Sequence, residues 1–305
     1  MSKLAVSPHI HSGRSTAGIM LDVLIALLPA TVAGVVIFGL RALAVIGVCV
    51  ASCLIFEALF CLATKKPQTV KDLSAVVTGL LLALNLPVNI PLWQCAVGAL
   101  FAIIVVKCLF GGLGQNLVNP AIAARVFMLV AFGSMTAAAL PVGVDTVGGA
   151  TPLANTDKLA DLLTLATGYH GGAIGETCAI ALVIGGIYLL VRRVISWQTP
   201  VVFVATVFAF SFLMEGYNTM KALELVLCGG VLLGAIFMAT DYVTSPPTPW
   251  GKVIFGIGCG LITCLIRYFG SLPEGVSYAI LFMNILNPYI CNWTRHKVFG
   301  TGGAK

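Results

Sequence analysis

Four stretches stand out as chemically capable in an otherwise apolar chain. The first runs from Asp145 to Leu153. Gly148, Gly149 and Ala150 leave a backbone that another molecule can approach closely. Thr151 offers a hydroxyl at its end, followed by Pro152 and Leu153. Spacing alone favours an ordinary loop turn here. The second runs from Gly111 and Gly112 to Pro120. It looks like a phosphate loop but lacks the Lys-Ser/Thr pair that grips phosphates. Its carboxamides, Asn116 and Asn119, need partners at membrane depth. They can bond backbone freed by Pro120, or read the edge of a planar heterocycle. The third holds Asp241 and Thr244 before Pro246, Pro247 and Pro249. It reads as a plain loop, or as carbonyls and a carboxylate able to hold a hard cation such as Na+. The fourth is Arg125, about one turn inside an apolar run. Burying it is costly, so it snorkels to the nearer face or pairs with an anion, Asp72 or Asp241 being candidates.

These groups must be positioned by apolar elements. The runs are 19–40, 42–63, 73–86, 92–110, 121–140, 175–191, 200–214, 222–240, 253–270 and 275–293. A spanning helix needs about 20 residues, and most runs qualify with their flanks. Run 73–86 is too short and ends in Asn85, Pro87 and Pro91, which predicts a broken or half-length helix. The expected fold class is therefore an all-α integral membrane protein with about ten transmembrane helices.

Composition agrees. Hydrophobic residues make up 59% of the 305 and charged residues only 9%, against about 25% charged in soluble domains. Mean hydropathy is +1.04. The net charge of +6 sits at the ends of apolar runs rather than in one block. That argues for membrane topology and lipid contact, and against nucleic-acid binding. Lys65, Lys66, Lys71, Lys107, Arg192, Arg193 and Lys252 fall at inside ends if the N-terminus is inside. Arg41, Lys158, Lys221 and Arg267 fall outside. Both termini are then cytoplasmic, and no cleavable leader is read at the start. The ten cysteines form no CxxC and read as small buried hydrophobes. Cys108, bordering the Gly-rich turn, is the first candidate for contact with a cluster shared with a partner.

An internal repeat organises the runs. Asn116 to Ile122 matches Asn284 to Ile290, so Asn284 and Asn287 mirror Asn116 and Asn119. A looser pair begins at Gly79 and Gly234 and ends at Trp93 and Trp250. Five runs per repeat is an odd number, which predicts two inverted repeats with broken helices. The organisation expected is a cytoplasmic segment 1–18, a first repeat 19–140, an outer loop 141–174, a second repeat 175–293 and a cytoplasmic tail 294–305.

Together, Ser7 to Ser12, Phe110 to Ala121, Gly149 to Thr151 and Thr240 to Pro246 resemble the D subunit of Rnf electron-transport complexes. The related B subunit of Na+-translocating NADH:quinone reductase shares much of the pattern. The resemblance covers nearly the whole chain. It implies a ten-helix protein of the bacterial inner membrane, with FMN attached through its phosphate to a threonine in an outer loop, here Thr151. Asp145 and the Gly149-Ala150 pair fit the attachment motif, whereas Gly148 stands where the family has Ser or Thr. It also implies a non-covalent riboflavin near Asn116 and Asn119. The function expected is that of one subunit of an ion-translocating ferredoxin:NAD+ oxidoreductase. Its partners would include an outer-side FMN subunit, iron–sulfur subunits, and Na+ or H+ moved past Asp241, Thr244, Asn284 and Asn287. No catalytic residue and no metal site is expected within the chain. The alternative is a secondary transporter with inverted repeats and no flavin.

Overall fold

The computed structural model describes residues 15–136, 162–270 and 275–295. The attachment loop with Asp145, Gly148, Gly149, Ala150, Thr151, Pro152 and Leu153 lies outside them, as do Ser7 to Ser12 and both chain ends. Among the described residues the chain is helical, with no β-strand.

The helix α1 (Thr16–Phe38) begins where the Ser15 hydroxyl accepts from the Gly18 N–H at 3.1 Å. It ends at Gly39, whose φ of 74° is the left-handed conformation that glycine tolerates best. The helix α2 (Leu40–Ala63) follows at once. The short α3 (Ser74–Leu84) comes next, then α4 (Leu92–Cys108), whose second half is π-helical, then α5 (Pro120–Ala131). A six-residue α6 (Leu162–Thr167) precedes α7 (Ala179–Val191) and α8 (Gln198–Met214). A bent pair, α9 (Thr219–Leu227) and α10 (Val231–Met238), leads to α11 (Pro249–Phe269) and α12 (Val276–Thr294).

Three helices, α1, α2 and α11, are each long and apolar enough to cross a membrane, and the bent pair qualifies as one broken span. The other apolar runs form helices of 10–17 residues, or in α12 a helix of 19. Val36, Leu40, Val130 and Val191 are 69–82% exposed. An apolar exterior of this kind is stable only in lipid, and the architecture is that of a multi-pass membrane protein.

Two expected helices differ from the sequence reading. The run 121–140 stops at Ala131, because Phe132 turns extended and Gly133 opens a 3-10 turn. The run 222–240 is not one helix: Gly229, at φ 72°, and Gly230 divide it with a bend of 66°.

The predicted break after α3 is present. Several of its freed carbonyls find donors, as non-helical backbone in lipid requires. The Leu84 and Leu86 carbonyls accept from the Gly175 and Ile174 N–H groups at 2.8 and 3.1 Å. The Val88 and Ile90 carbonyls accept from the Arg41 guanidinium at 3.1 and 3.2 Å. The second break is served in the same way: Arg267 donates to the Leu225 and Cys228 carbonyls at 2.8 and 3.2 Å. Gly175 is required at the first crossing, since a Cβ there would lie 2.5 Å from Leu84 Cβ.

The looser repeat pair thus falls on like local structures. Gly79 lies in the short α3 and Gly234 in the short α10, each before a helix that opens beside a proline. The Asn-Pro pair does not. Pro120 is the first residue of α5, whereas Pro288 lies inside α12.

Candidate functional site

The C-terminal halves of α4 and α10 are both π-helical. Alongside α1, α3, α7 and the start of α5 they enclose a cavity of about 320 Å³. Such volumes are typical of small-molecule sites, about 300–1,000 Å³. Its walls are mostly apolar, including Val77, Leu81, Leu189 and Phe237. Its polar groups are Thr16, Ser74, Thr78, Lys107, Asn116, Asn119, Thr240, Asp241 and Tyr242.

The two asparagines have different duties. The Asn119 side chain caps α5, its Oδ1 accepting from the Ala121 and Ile122 N–H groups at 3.0 and 3.4 Å. Its Nδ2 donates to the Met238 carbonyl at 3.4 Å. The Asn119 carboxamide therefore serves the backbone around Pro120. Asn116 is different: its Oδ1 is buried with no hydrogen-bond partner among the described residues. A buried carbonyl oxygen of this kind costs about 1–3 kcal/mol unless something donates to it. Gly111 and Gly112, at φ 121° and 98°, make the turn after α4 and do not line the cavity. Leu113 does.

Lys107, expected at a solvated helix end, is only 2% exposed. Its ammonium donates to Glu57 Oε1 at 2.7 Å and to Ser74 Oγ at 2.6 Å. The Ser74 hydroxyl in turn donates to Asp72, and the Thr69 hydroxyl donates to Glu57 Oε1 at 2.7 Å. One cationic head is thus held at the cavity wall by a chain of oxygens.

Asp241 also lines this cavity, so one candidate ion residue shares it with Asn116 and Asn119. The Thr244 hydroxyl donates to Asp241 Oδ2 at 3.0 Å. Burial holds the Asp241 carboxyl above its usual pKa, against the lowering effect of Thr244 and of the Val243 and Tyr242 amides. Asn284 joins them through backbone. In the amide orientation its neighbours require, it accepts from the Asn119 N–H at 3.1 Å and donates to the Thr244 carbonyl at 3.2 Å. Asn287 is held apart, its Oδ1 accepting from Cys291 Sγ at 3.3 Å.

Arg125 corrects the expectation most. It neither snorkels nor meets Asp72 or Asp241. It is 3% exposed and bonds Glu176 Oε1 at 2.5 Å, with a further bond to Asn85 Oδ1. The reason is the fold around both breaks. Asn85 ends α3, and the 168–178 loop carries Glu176 inward beneath it. Gly230, at the second break, lies so close that a Cβ there would be 2.6 Å from Glu176 Oε1. Sequence reasoning missed Glu57, Asn85 and Glu176. Glu57 had a readable signal, as the single acid within run 42–63. Cys108 is 6% exposed, and among the described residues no three His, Cys, Asp or Glu side chains gather as a metal site.

Comparison with known proteins agrees with this architecture. The profile of the NQR2, RnfD, RnfE family matches residues 3–300. The chain is 49% identical to the D subunit of the Na+-translocating ferredoxin:NAD+ oxidoreductase complex of Acetobacterium woodii, over 98% of this chain and 95% of that one. It is 39% identical to the D subunit of the proton-translocating ferredoxin:NAD+ oxidoreductase complex of Clostridium ljungdahlii, over 98% and 96%. The D subunit of the ion-translocating oxidoreductase complex of Stutzerimonas stutzeri is 37% identical over 92% and 91%. At this coverage and identity the chain belongs to the NQR2, RnfD, RnfE family, on the side of the Rnf D subunits.

Proposed function

We propose that this chain is the flavin-bearing membrane subunit of an ion-translocating ferredoxin:NAD+ oxidoreductase in the bacterial inner membrane, and that it relays electrons between two flavins. Thr151 carries FMN on the outer side, and the cavity beside Asn116 holds a second, non-covalent flavin nearer the cytoplasm. The spans then form two inverted sets of five with both termini cytoplasmic. The neighbours in the assembly are iron–sulfur subunits and a second FMN subunit.

One observation carries the second site: Asn116, whose buried Oδ1 has no partner among the described residues, lines an apolar cavity. A flat isoalloxazine has the apolar faces to fill such walls and an N–H edge to satisfy that oxygen. The Lys107 ammonium at the wall would favour negative charge on a reduced ring. A bound flavin supplies the one- and two-electron chemistry; the residues supply position, hydrogen bonding and polarity. Asp241, bonded by Thr244, lines the same cavity, which is where redox change and a Na+ or H+ would influence each other. The coupling ion is stated differently in the names of the two Rnf relatives above, so it is a matter for measurement on this chain.

Two fluorescence measurements test the reading. On a denaturing gel the chain, matured with a flavin transferase, should fluoresce, and Thr151→Ala should abolish the band. A fluorescent Thr151→Ala band overturns the attachment site. Acid extraction of the native protein should release a second flavin without phosphate, and Asn116→Leu should lower its yield severalfold. An unchanged yield removes the cavity from the electron path.

A further inference from the structure

A second cavity, of about 500 Å³, opens between the α7–α8 turn and the start of α11. Its lining includes Arg193, Lys252, Ser196, Thr199 and Ser245, with no carboxylate. Asp241, the nearest acid in sequence, lines the flavin cavity instead. Two helix starts converge here. The N-terminus of α8 has no side-chain cap, so its partial positive charge is left uncompensated. Lys252 lies in the first turn of α11, the end of a helix where a cation is disfavoured. Its ammonium has no carboxylate partner among the described residues. Arg193 occupies a left-handed position, φ 53°, at the turn that ends α7, where glycine is the usual residue. Thr199 is 2% exposed and lines the cavity, and its hydroxyl makes no hydrogen bond among the described residues. Two cationic residues, two helix starts and the Thr199 hydroxyl thus meet at one volume whose lining includes no carboxylate.

We propose that this cavity binds the phosphate of an anionic phospholipid headgroup, held by Arg193 and Lys252 with the Thr199 and Ser196 hydroxyls. The choice of a lipid over a free phosphate rests on the surroundings. Trp197 and Trp250 stand at the starts of α8 and α11, 59% and 73% exposed. Exposed tryptophans at helix ends mark the level of the headgroups, and basic pockets between helices at that level suit acidic lipids. Apolar chains below the headgroup would lie along the exposed faces of α8 and α11, at Val201 and Ile254.

Native mass spectrometry of the full chain, released from detergent micelles, tests this. The probes are dioleoylphosphatidylglycerol, the phosphate-free dioleoylglycerol, and inorganic phosphate. Wild type should retain phosphatidylglycerol well above dioleoylglycerol. Arg193→Gln and Lys252→Gln should each weaken that binding about fivefold, and together about thirtyfold. Arg192→Gln is the control, since Arg192 bonds Asp22 at 3.2 Å and does not line the cavity; its binding should stay within about twofold. Equal losses in all three single variants would mean diffuse surface charge and overturn the site. So would retention of dioleoylglycerol equal to that of the phospholipid. Inorganic phosphate binding as tightly as the lipid, and lost in the double variant, would overturn the lipid as its source. Each variant is read only where its unfolding midpoint matches wild type.

Discussion

Arg125 and Glu176 show how a charge is kept inside an apolar protein. Each is under 4% exposed, and the guanidinium bridges the carboxylate and the Asn85 amide oxygen. Removing one member of a buried pair strands the other charge and destabilises by about 3–5 kcal/mol, whereas replacing both with apolar residues is often near neutral. Glu176→Gln should therefore lower the unfolding midpoint of the chain in detergent by several degrees. The Arg125→Met/Glu176→Leu double variant should recover most of that loss. A single variant as stable as wild type would show that the pair does not hold the breaks together. Arg125 is legible in the sequence as an anomaly, because arginine deep in an apolar run demands a partner. Glu176 is not. It borders the long 141–174 loop and reads as solvated, and only the inward fold of the 168–178 loop brings it to Arg125.

The helices repeat this lesson one level up. The break after α3 can be read directly, since Pro87 and Pro91 cannot continue a helix. The break between α9 and α10 is hidden, because Gly229 and Gly230 are flanked on both sides by apolar residues, Leu225 to Cys228 and Val231 to Leu233. Its stabiliser, Arg267, comes from the next long helix and reads in the sequence only as an exception to the charge topology. Arg41 is another. The two arginines among the exceptions to the positive-inside pattern have the same explanation: each donates to the carbonyls of one broken span. A membrane arginine committed to backbone has no need to obey a rule about translocated charge. Arg267→Met leaves the Leu225 and Cys228 carbonyls without their guanidinium donor, a penalty of about 1–3 kcal/mol per buried acceptor. Backbone amides over 225–234 should then exchange hydrogen faster, while those of α2 keep the wild-type rate. Unchanged exchange over the break would assign its stability to packing alone.

At the scale of the molecule, α3 joins the cavity beside Asn116 to the buried Arg125–Glu176 pair. Leu81 lines the cavity and Asn85 bonds Arg125, both on or just beyond α3 and four residues apart. At a helical rise of about 1.5 Å per residue, these two backbone positions lie about 6 Å apart along the helix axis. On the proposed function, a cation held near Asp241 would meet the fixed charge of Arg125 further along the fold. Asp241 would then act on the ion at entry and on the charge balance of a reduced flavin, rather than as one stop along an open channel. Two consequences separate this from a continuous pore. In inverted vesicles carrying the whole complex, Asp241→Asn should lower ion uptake per NAD+ reduced severalfold while electrons still flow from ferredoxin. Isolated chain in liposomes, with no electron donor, should pass no Na+ down a gradient. Uptake unaffected by Asp241→Asn would remove this cavity from ion coupling, and a passive Na+ leak through the isolated chain would show that the central pair does not close the path.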